Sequence, residues 1–352
     1  MKIVQPRRAV VLAATTALVA AGVTATAMTP ADAKQPTGGT TAKAYVFIPN
    51  PVQSSGNESL VDDKDSATAV PRDQYFEVTL TDLDGSGYLS GKWANVRTNT
   101  GTPAYTTDGT YFYDRHDDQF EQVMAYYWGT QAQYYLQSLG FGSELPPVNA
   151  ESQDFRIDQW GADNSFSWDK HDYIKLGKGG VDDAEDAEVI VHELGHAVHD
   201  AQVPGFGTTL EAGSIGEAFG DYFAVTVADW VSKNNGVPTM TPLACVMDWD
   251  ATSYTSTVPH CLRRLDKDKH YPQDVVGEVH RDGEIWSRAL YDIRNALGPV
   301  IADRIIINAQ FGFAPDTTFK AAAEHTVATA QQMYGASQAS VVRQAFADRG
   351  IL

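Results

Sequence analysis

Two histidines one helical turn apart constrain this chain more than any other feature of its sequence. Residues 192–196 read His-Glu-Leu-Gly-His. On an α-helix, residues i and i+4 lie on the same face, with Cβ atoms roughly 5–6 Å apart. His192 and His196 can therefore bind one tetrahedral Zn²⁺ ion, and Glu193 lies where a general base would face the open coordination position. The pattern predicts a catalytic zinc site on a helix.

Two other stretches supply the context that such a short motif needs. Residues 182–191 run from acidic to apolar residues after two glycines, which predicts that the helix begins with the acidic turn and carries the motif in its middle. Glu217 and Asp221 are also i and i+4 in a helical pattern. Because a catalytic zinc normally has three protein ligands plus water, we expect Glu217 to bind the metal and Asp221 to orient a ligand histidine.

Two further polar residues follow the motif on the same helix. His199 comes seven residues after His192, on nearly the same helix face. Since three ligands are already assigned, we expect His199 to be a partly buried flanking histidine. We interpret Asp200 as a helix-end acid, or as a residue that orients a ligand, and not as a ligand itself.

The first 33 residues have the features of a secretory signal peptide. A basic start precedes an apolar stretch at residues 9–23 and an Ala-Asp-Ala cleavage pattern at residues 31–33. The apolar stretch is too short to span a bilayer comfortably, and no later segment is apolar over about 18 residues. We therefore expect a secreted, extracellular protein. The Gly/Thr/Pro composition of residues 34–43 predicts a disordered linker.

The chain is strongly acidic. Its formal net charge is −19, and removal of residues 1–33, which carry a net +2, would make it −21. Such a charge repels nucleic acid and anionic membranes, so we expect neither as a partner. We interpret the acidity as a solubility feature, with some carboxylates binding structural Ca²⁺. We expect a monomer.

The chain has two cysteines, Cys245 and Cys261. An exported chain meets oxidising conditions, which favours one disulfide closing the polar loop between them. Two free thiols are the alternative. We do not expect these cysteines to bind zinc, because a complete ligand set is predicted elsewhere.

Local patterns divide the rest of the chain into two lobes. Short extended runs dominate from residue 44 and include a predicted β-hairpin of residues 75–80 and 88–96. Helices are predicted at residues 118–139, 215–231, 283–297, about 299–309, 316–334 and 337–348. We therefore predict an α+β fold, with a β-rich N-terminal lobe at residues 44–200 that ends in the zinc helix. A helical C-terminal lobe follows at residues 201–352, and the metal lies between the lobes.

These features resemble those of the gluzincin zinc peptidases, the clan related to thermolysin. That clan combines His-Glu-x-x-His with a glutamate ligand and an aspartate four residues later. Stretches outside the motif are similar to secreted fungalysin-type, or elastinolytic, metallopeptidases, namely residues 180–186, 280–286, 333–335 and 342–352. The resemblance covers roughly residues 44–352. It implies a thermolysin-like two-lobe fold and a secreted endopeptidase that hydrolyses peptide bonds in proteins with a zinc-activated water.

The resemblance also implies roles for individual residues. Glu193 would take a proton from water and pass it to the leaving amine. His280, just before the helix predicted to begin at Gly283, would stabilise the oxyanion. Asn164 and Ser165 would lie on an edge strand that pairs with the backbone of a protein or peptide substrate.

Two departures from the resemblance leave alternatives open. Residues 201–210 contain Phe206 but no tyrosine, whereas related gluzincins often have a tyrosine there that helps to hold the oxyanion. Fungalysin precursors carry a long inhibitory propeptide, yet only about ten linker residues follow the predicted signal peptide. The alternatives are a zinc-bearing, non-catalytic secreted binding protein and an aminopeptidase of the same clan. The aminopeptidase would need an acidic patch that captures a free N-terminus.

Overall fold

The computed structural model describes residues 40–96 and 100–352. The predicted signal peptide and residues 34–39 of the predicted linker lie outside the described residues. All described residues belong to one compact unit, Gln35–Leu352. The boundary that we predict between two lobes at residues 200 and 201 stays a prediction.

The N-terminal part begins with a small mixed sheet. Its central strand β1 (Thr40–Val46) is antiparallel to β2 (Phe76–Leu83) and, further along the chain, parallel to β4 (Thr110–Tyr111). Alternate residues of β1 are buried, as expected for a strand with one face on the core. A short helix α1 (Pro51–Ser55) follows β1.

A second mixed sheet lies closer to the histidine helix. Its strand order is β3 (Ala94–Asn95), β5 (Gln153–Arg156), β7 (Tyr173–Lys175), β6 (Phe166–Trp168). Only the pairing of β6 with β7 is antiparallel, and β6 forms one edge of this sheet.

Two expectations about the N-terminal part are wrong. Strand β2 pairs with β1, and the segment after the turn meets β2 only through a bridge between Leu83 and Gly91, so the predicted β-hairpin is not formed. Residues 40–43 of the predicted disordered linker are part of β1, where the Lys43 N–H donates to the Gly109 carbonyl at 2.8 Å. The partners of these residues are distant in sequence, and the linker composition gives no sign of them.

Three long helices form the centre of the molecule. They are α2 (Gln119–Ser138), α3 (Ala187–Gln202) and α4 (Leu210–Asn235). Helix α3 begins five residues later than its acidic run predicts. Asp186 is its N-cap, and its side chain accepts a hydrogen bond from the Glu188 N–H at 3.0 Å. The acidic residues before Asp186 form a buried 3₁₀ turn at Asp183–Glu185.

A disulfide-closed loop and four helices complete the chain. The short strand β8 (Cys245–Val246) begins this loop and pairs antiparallel with β9 (Arg263–Arg264), which directly follows the loop. The helices are α5 (Val279–Leu297), α6 (Pro299–Gln310), α7 (Phe319–Tyr334) and α8 (Ala336–Asp348). The helical C-terminal part and the mixed sheets before it confirm the predicted α+β class. Among the described residues, no helix combines the length and apolar character needed to cross a bilayer.

Candidate metal centre and active site

Glycines let the two helices that carry the predicted metal ligands approach each other closely. A Cβ on Gly195 of α3 would lie 3.0 Å from the Cα of Gly220 on α4. A Cβ on Gly220 would lie only 2.7 Å from Nδ1 of His192. Any larger residue at Gly220 would therefore displace the histidine ring, so the absence of a side chain there positions the site.

Three predicted ligands converge at this contact. His192 Nε2 lies 3.3 Å from His196 Nε2 and 3.3 Å from Glu217 Oε2, and His196 Nε2 lies 3.7 Å from Glu217 Oε1. Around a tetrahedral zinc with bonds of about 2.0–2.1 Å, ligand atoms are about 3.3–3.4 Å apart. The three side chains thus fit one zinc ion without rearrangement. They also form one of two groups among the described residues whose ligand atoms could surround a metal.

A buried ion pair lies behind the first histidine. Asp221 Oδ1 is 2.9 Å from His192 Nδ1. Arg263 donates two hydrogen bonds to the same carboxylate, one from Nε and one from a terminal nitrogen, both at 2.7 Å. Arg263 was not foreseen from the sequence, because it lies 42 residues from Asp221 in a polar loop. No local pattern in that loop distinguishes Arg263 from its neighbours.

The charges of this group keep both carboxylates ionised in the metal-free protein. Burial would lower the pKa of His192, but hydrogen bonds to Asp221 and Glu217 outweigh it and raise the pKa to about 10. Burial would raise the pKa of Asp221, but Arg263 and His192 lower it to about 2. Burial would also raise the pKa of Glu217, whereas His196 and His192 hold it far below its usual range. A metal ion would therefore bind in competition with the proton on His192.

Glu193 and His280 lie beside the three converging side chains. Glu193 is buried and directly follows His192 on α3. His280 Nε2 is 3.2 Å from Glu217 Oε2, and its Nδ1 is 2.6 Å from Glu278 Oε1. The expectation that His280 precedes its helix is wrong. Helix α5 begins at Val279, because Glu278 accepts hydrogen bonds from the N–H groups of His280 and Arg281 and caps the helix.

The predicted substrate residues Asn164 and Ser165 lie next to an edge strand and not within it. Both precede β6, which begins at Phe166. Asn164 is exposed, whereas the Ser165 hydroxyl donates a hydrogen bond to Asp183 in the turn before α3. The expectation needs this correction, because β6 starts two residues after Asn164.

His199 and Asp200, which follow the motif on α3, make packing and hydrogen-bond contacts with neighbouring residues. His199 is buried, more completely than we expected, and its ring stacks on Phe206 with centroids 3.7 Å apart. Its two ring nitrogens have no hydrogen-bond partner, and it is not one of the converging ligands. Asp200 accepts a hydrogen bond from the Gly205 N–H at 2.6 Å, which is the contact of a helix-end acid.

Cys245 and Cys261 form the predicted disulfide, with Cα atoms 5.2 Å apart. The bond closes the loop before β9, and Arg263 of β9 lies only two residues beyond Cys261. The disulfide prediction is confirmed. The bond lies beside the segment that brings the Arg263 guanidinium to Asp221.

The fold and this site define a zinc metalloendopeptidase, an enzyme that acts on protein or peptide substrates. Residues 207–351 match the family model described as thermolysin metallopeptidase, alpha-helical domain. This part of the chain is therefore similar to the helical domain of thermolysin-type metallopeptidases.

The comparison with solved structures agrees with this assignment. The chain is similar to the precursor of protealysin, a metalloproteinase from Serratia proteamaculans, with a TM-score of 0.54 and 20% sequence identity. The similarity covers 74% of this chain and 87% of that chain. The predicted thermolysin-like two-lobe fold is thereby confirmed. No curated protein matches the sequence significantly.

Proposed function

We propose that this chain is a secreted endopeptidase of the fungalysin type in which His192, His196 and Glu217 bind the catalytic zinc. The observation that carries the proposal is the convergence of these three side chains at 3.3–3.7 Å. Their donor set, two imidazoles and one carboxylate, is that of catalytic zinc sites that keep one position open.

Glu193 is the general base and then the general acid of the reaction. When bound, zinc acidifies a water molecule and polarises the peptide carbonyl. The Glu193 carboxylate accepts the proton of the attacking water and delivers it to the nitrogen of the leaving amine. Its position next to His192 in the sequence and its burial support this role.

Asp221 and Arg263 hold the first histidine in place. The ionised Asp221 carboxylate, 2.9 Å from Nδ1 of His192, favours the tautomer with a proton on Nδ1, which leaves Nε2 free to bind the metal. Arg263 is a positioning residue, since its two hydrogen bonds keep the Asp221 carboxylate ionised and fixed in orientation.

His280 stabilises the oxyanion of the tetrahedral intermediate. In the protonated imidazolium both ring nitrogens are donors. Nδ1 donates to Glu278 at 2.6 Å, and Nε2 points to the ligand group, where it donates to the oxyanion. Residues 201–210 contain no tyrosine that could hold the oxyanion. The protonated ring of His280 supplies a charged donor for it.

The substrate lies along the edge strand β6. An extended peptide can add to the free side of this strand, whose other side pairs with β7. The exposed side chain of Asn164, two residues before β6, supports a contact with the peptide backbone. Ser165 supports the strand indirectly, through its hydrogen bond to Asp183.

Secretion is part of the proposal. It rests on the signal-peptide pattern of residues 1–33 and on the disulfide, which needs an oxidising compartment. Thermolysin-type peptidases are typically secreted. We further propose a monomer that binds structural Ca²⁺ and, because of its acidic charge, neither nucleic acid nor anionic membranes.

One observation favours the aminopeptidase alternative. A small cavity of about 60 Å³ beside the C-terminal half of α3 is lined by four acidic residues, Glu151, Asp169, Asp172 and Asp200. Such a pocket suits a free α-amino group. Cleavage rates for a peptide with a free N-terminus and for its acetylated form separate the two activities: an endopeptidase cleaves both, and an aminopeptidase cleaves only the free peptide.

Casein hydrolysis tests the proposed function. We expect a chelator to abolish hydrolysis, added Zn²⁺ to restore it, and Glu193→Gln to remove it while one zinc stays bound. A wild-type protein that holds one zinc and cuts nothing at neutral pH would instead support the non-catalytic binding protein.

A further inference from the structure

A second group of converging oxygen ligands lies outside the zinc site. It consists of the carboxylates of Asp163, Asp183 and Asp250, with one oxygen of each within 4.8 Å of the others. Asp163 lies just before β6, Asp183 lies in the turn before α3, and Asp250 lies in the disulfide-closed loop. Three segments that are distant in sequence thus bring three negative charges to one point.

Two of these carboxylates are buried and each has one oxygen without a hydrogen-bond partner. Asp183 and Asp250 are only 3% and 4% exposed, and the Oδ1 atom of each is buried without a hydrogen-bond partner. Uncharged hydroxyls supply the side-chain hydrogen bonds of the group: Ser165 donates to Asp183, and Tyr254 donates to Asp163 at 2.5 Å. Buried carboxylates that face one another repel and are costly unless a cation lies between them.

The donor set selects the kind of cation. All three ligands are carboxylate oxygens, which hard cations prefer, whereas zinc prefers nitrogen and sulfur ligands. Ca²⁺ takes six to eight oxygen ligands in a flexible geometry, whereas Mg²⁺ demands a near-ideal octahedron and is usually bound by only one or two carboxylates. Three carboxylates from three separate segments therefore suit Ca²⁺ better than Mg²⁺. We propose that Asp163, Asp183 and Asp250 bind one structural Ca²⁺ ion.

This ion would connect the substrate strand to the zinc helix. Asp163 directly precedes Asn164, and Asp183 lies four residues before the start of α3. The chain between Asp163 and Asp183 passes close to the group at Gly180, where a Cβ would lie 2.5 Å from Asp163 Oδ2 and 2.7 Å from Ser253 Oγ. Calcium would thus fix the start of β6 relative to α3. The consequence for catalysis depends on the proposed function, whereas binding of the ion does not.

Calorimetric titration of Ca²⁺ into the Glu193→Gln protein tests the site without any proteolysis. The buffer is freed of calcium and supplied with zinc, so that the zinc site stays filled. We expect one Ca²⁺ with a dissociation constant of roughly 10⁻⁴–10⁻³ M, as in extracellular calcium modules. Asp163→Asn, Asp183→Asn and Asp250→Asn should each weaken binding at least about tenfold, because each removes a charged ligand. Asp316→Asn, at an exposed aspartate outside the group, should leave binding unchanged.

Thermal unfolding of the same variants separates ion binding from an ordinary structural role. In calcium-free buffer, Asp250→Asn should raise the melting temperature, because it removes repulsion among buried carboxylates. In saturating calcium the order should reverse, and wild type should melt at the higher temperature. The proposal is overturned if the protein binds no Ca²⁺ below about 10 mM, well above the affinity range of such sites. It is also overturned if Asp250→Asn lowers the melting temperature equally in both buffers. Since the protein tested is inactive, either result leaves the proposed peptidase activity to its own test.

Discussion

Replacement of Asp221 by asparagine separates two roles of one carboxylate. Asparagine has nearly the same shape and can still accept a hydrogen bond from His192, but it loses the charge that pairs with Arg263. The His192 contact is 2.9 Å long and the Arg263 contacts are 2.7 Å long. We expect zinc affinity to fall because His192 is oriented less firmly. We expect stability to fall because Arg263 loses its charged partner.

The magnitudes follow from the burial of the pair. Loss of a partner that orients a zinc ligand typically costs 10–100-fold in metal affinity, or about 1.4–2.8 kcal/mol at 1.4 kcal/mol per tenfold. The Asp221 side chain is 3% exposed and that of Arg263 is 14% exposed, so Arg263 would be left as a nearly buried, unpaired cation. Breaking such a pair costs about 3–5 kcal/mol of stability.

A matched control lies on the same helix. Asp229 is two turns further along α4, about 12 Å from Asp221 at 1.5 Å per residue. It pairs with Arg294 at 2.7 Å and is 9% exposed. Asp229→Asn should also lower stability but leave zinc affinity unchanged.

Two assays check this prediction. Competition with a chelator of known affinity gives the zinc dissociation constant, and urea unfolding of the metal-free proteins gives the stability. The reasoning is refuted if Asp221→Asn binds zinc as tightly as wild type, or if Asp229→Asn loses zinc affinity to the same extent.

Four further predictions follow from other contacts. His280→Ala should lower kcat about 10²–10³-fold through loss of one oxyanion donor, while metal analysis still finds one zinc; loss of zinc would make His280 a ligand. His199→Phe should leave zinc content and activity intact, because the buried ring packs on Phe206 and binds no metal; zinc loss in this variant would contradict the ligand assignment. The double variant Cys245→Ser, Cys261→Ser opens a loop with a sequence separation of 16. Urea unfolding should show a free energy of unfolding about 3 kcal/mol lower than that of wild type; an unchanged value would contradict a stabilising role of the disulfide. Burial raises the pKa of Asp158 to about 7, so the native state keeps a proton that the unfolded chain releases near pH 4. The unfolding free energy should therefore fall as pH rises from about 4 to about 7, and Asp158→Asn should flatten that decline; an equally steep decline in the variant would refute the assignment.

The convergence of the proposed zinc ligands could be predicted in part from the sequence, because the spacing within each pair of residues is local. His192 and His196, like Glu217 and Asp221, are four residues apart on a helix, and that spacing alone places each pair on one face. The start of α3 was harder to predict, because acidic residues suit a first helical turn. Here they are buried in a 3₁₀ turn and Asp186 caps the helix instead.

Contacts between distant segments could not be predicted from local patterns. Arg263 reaches Asp221 from β9, just after the disulfide-closed loop. Asp163, Asp183 and Asp250 meet only after three segments pack together. The pairing of β1 with β2 likewise joins residues 30 to 43 positions apart. Hydrophobic periodicity does not record such partners, since it describes one element at a time.

X-ray diffraction at the zinc absorption edge tests the central claim most directly. We predict one anomalous peak, with His192 and His196 nitrogens at about 2.0–2.1 Å and a Glu217 oxygen at about 2.0–2.2 Å from it. A peak located away from Glu217, or a zinc ion bound by other residues, would contradict the account.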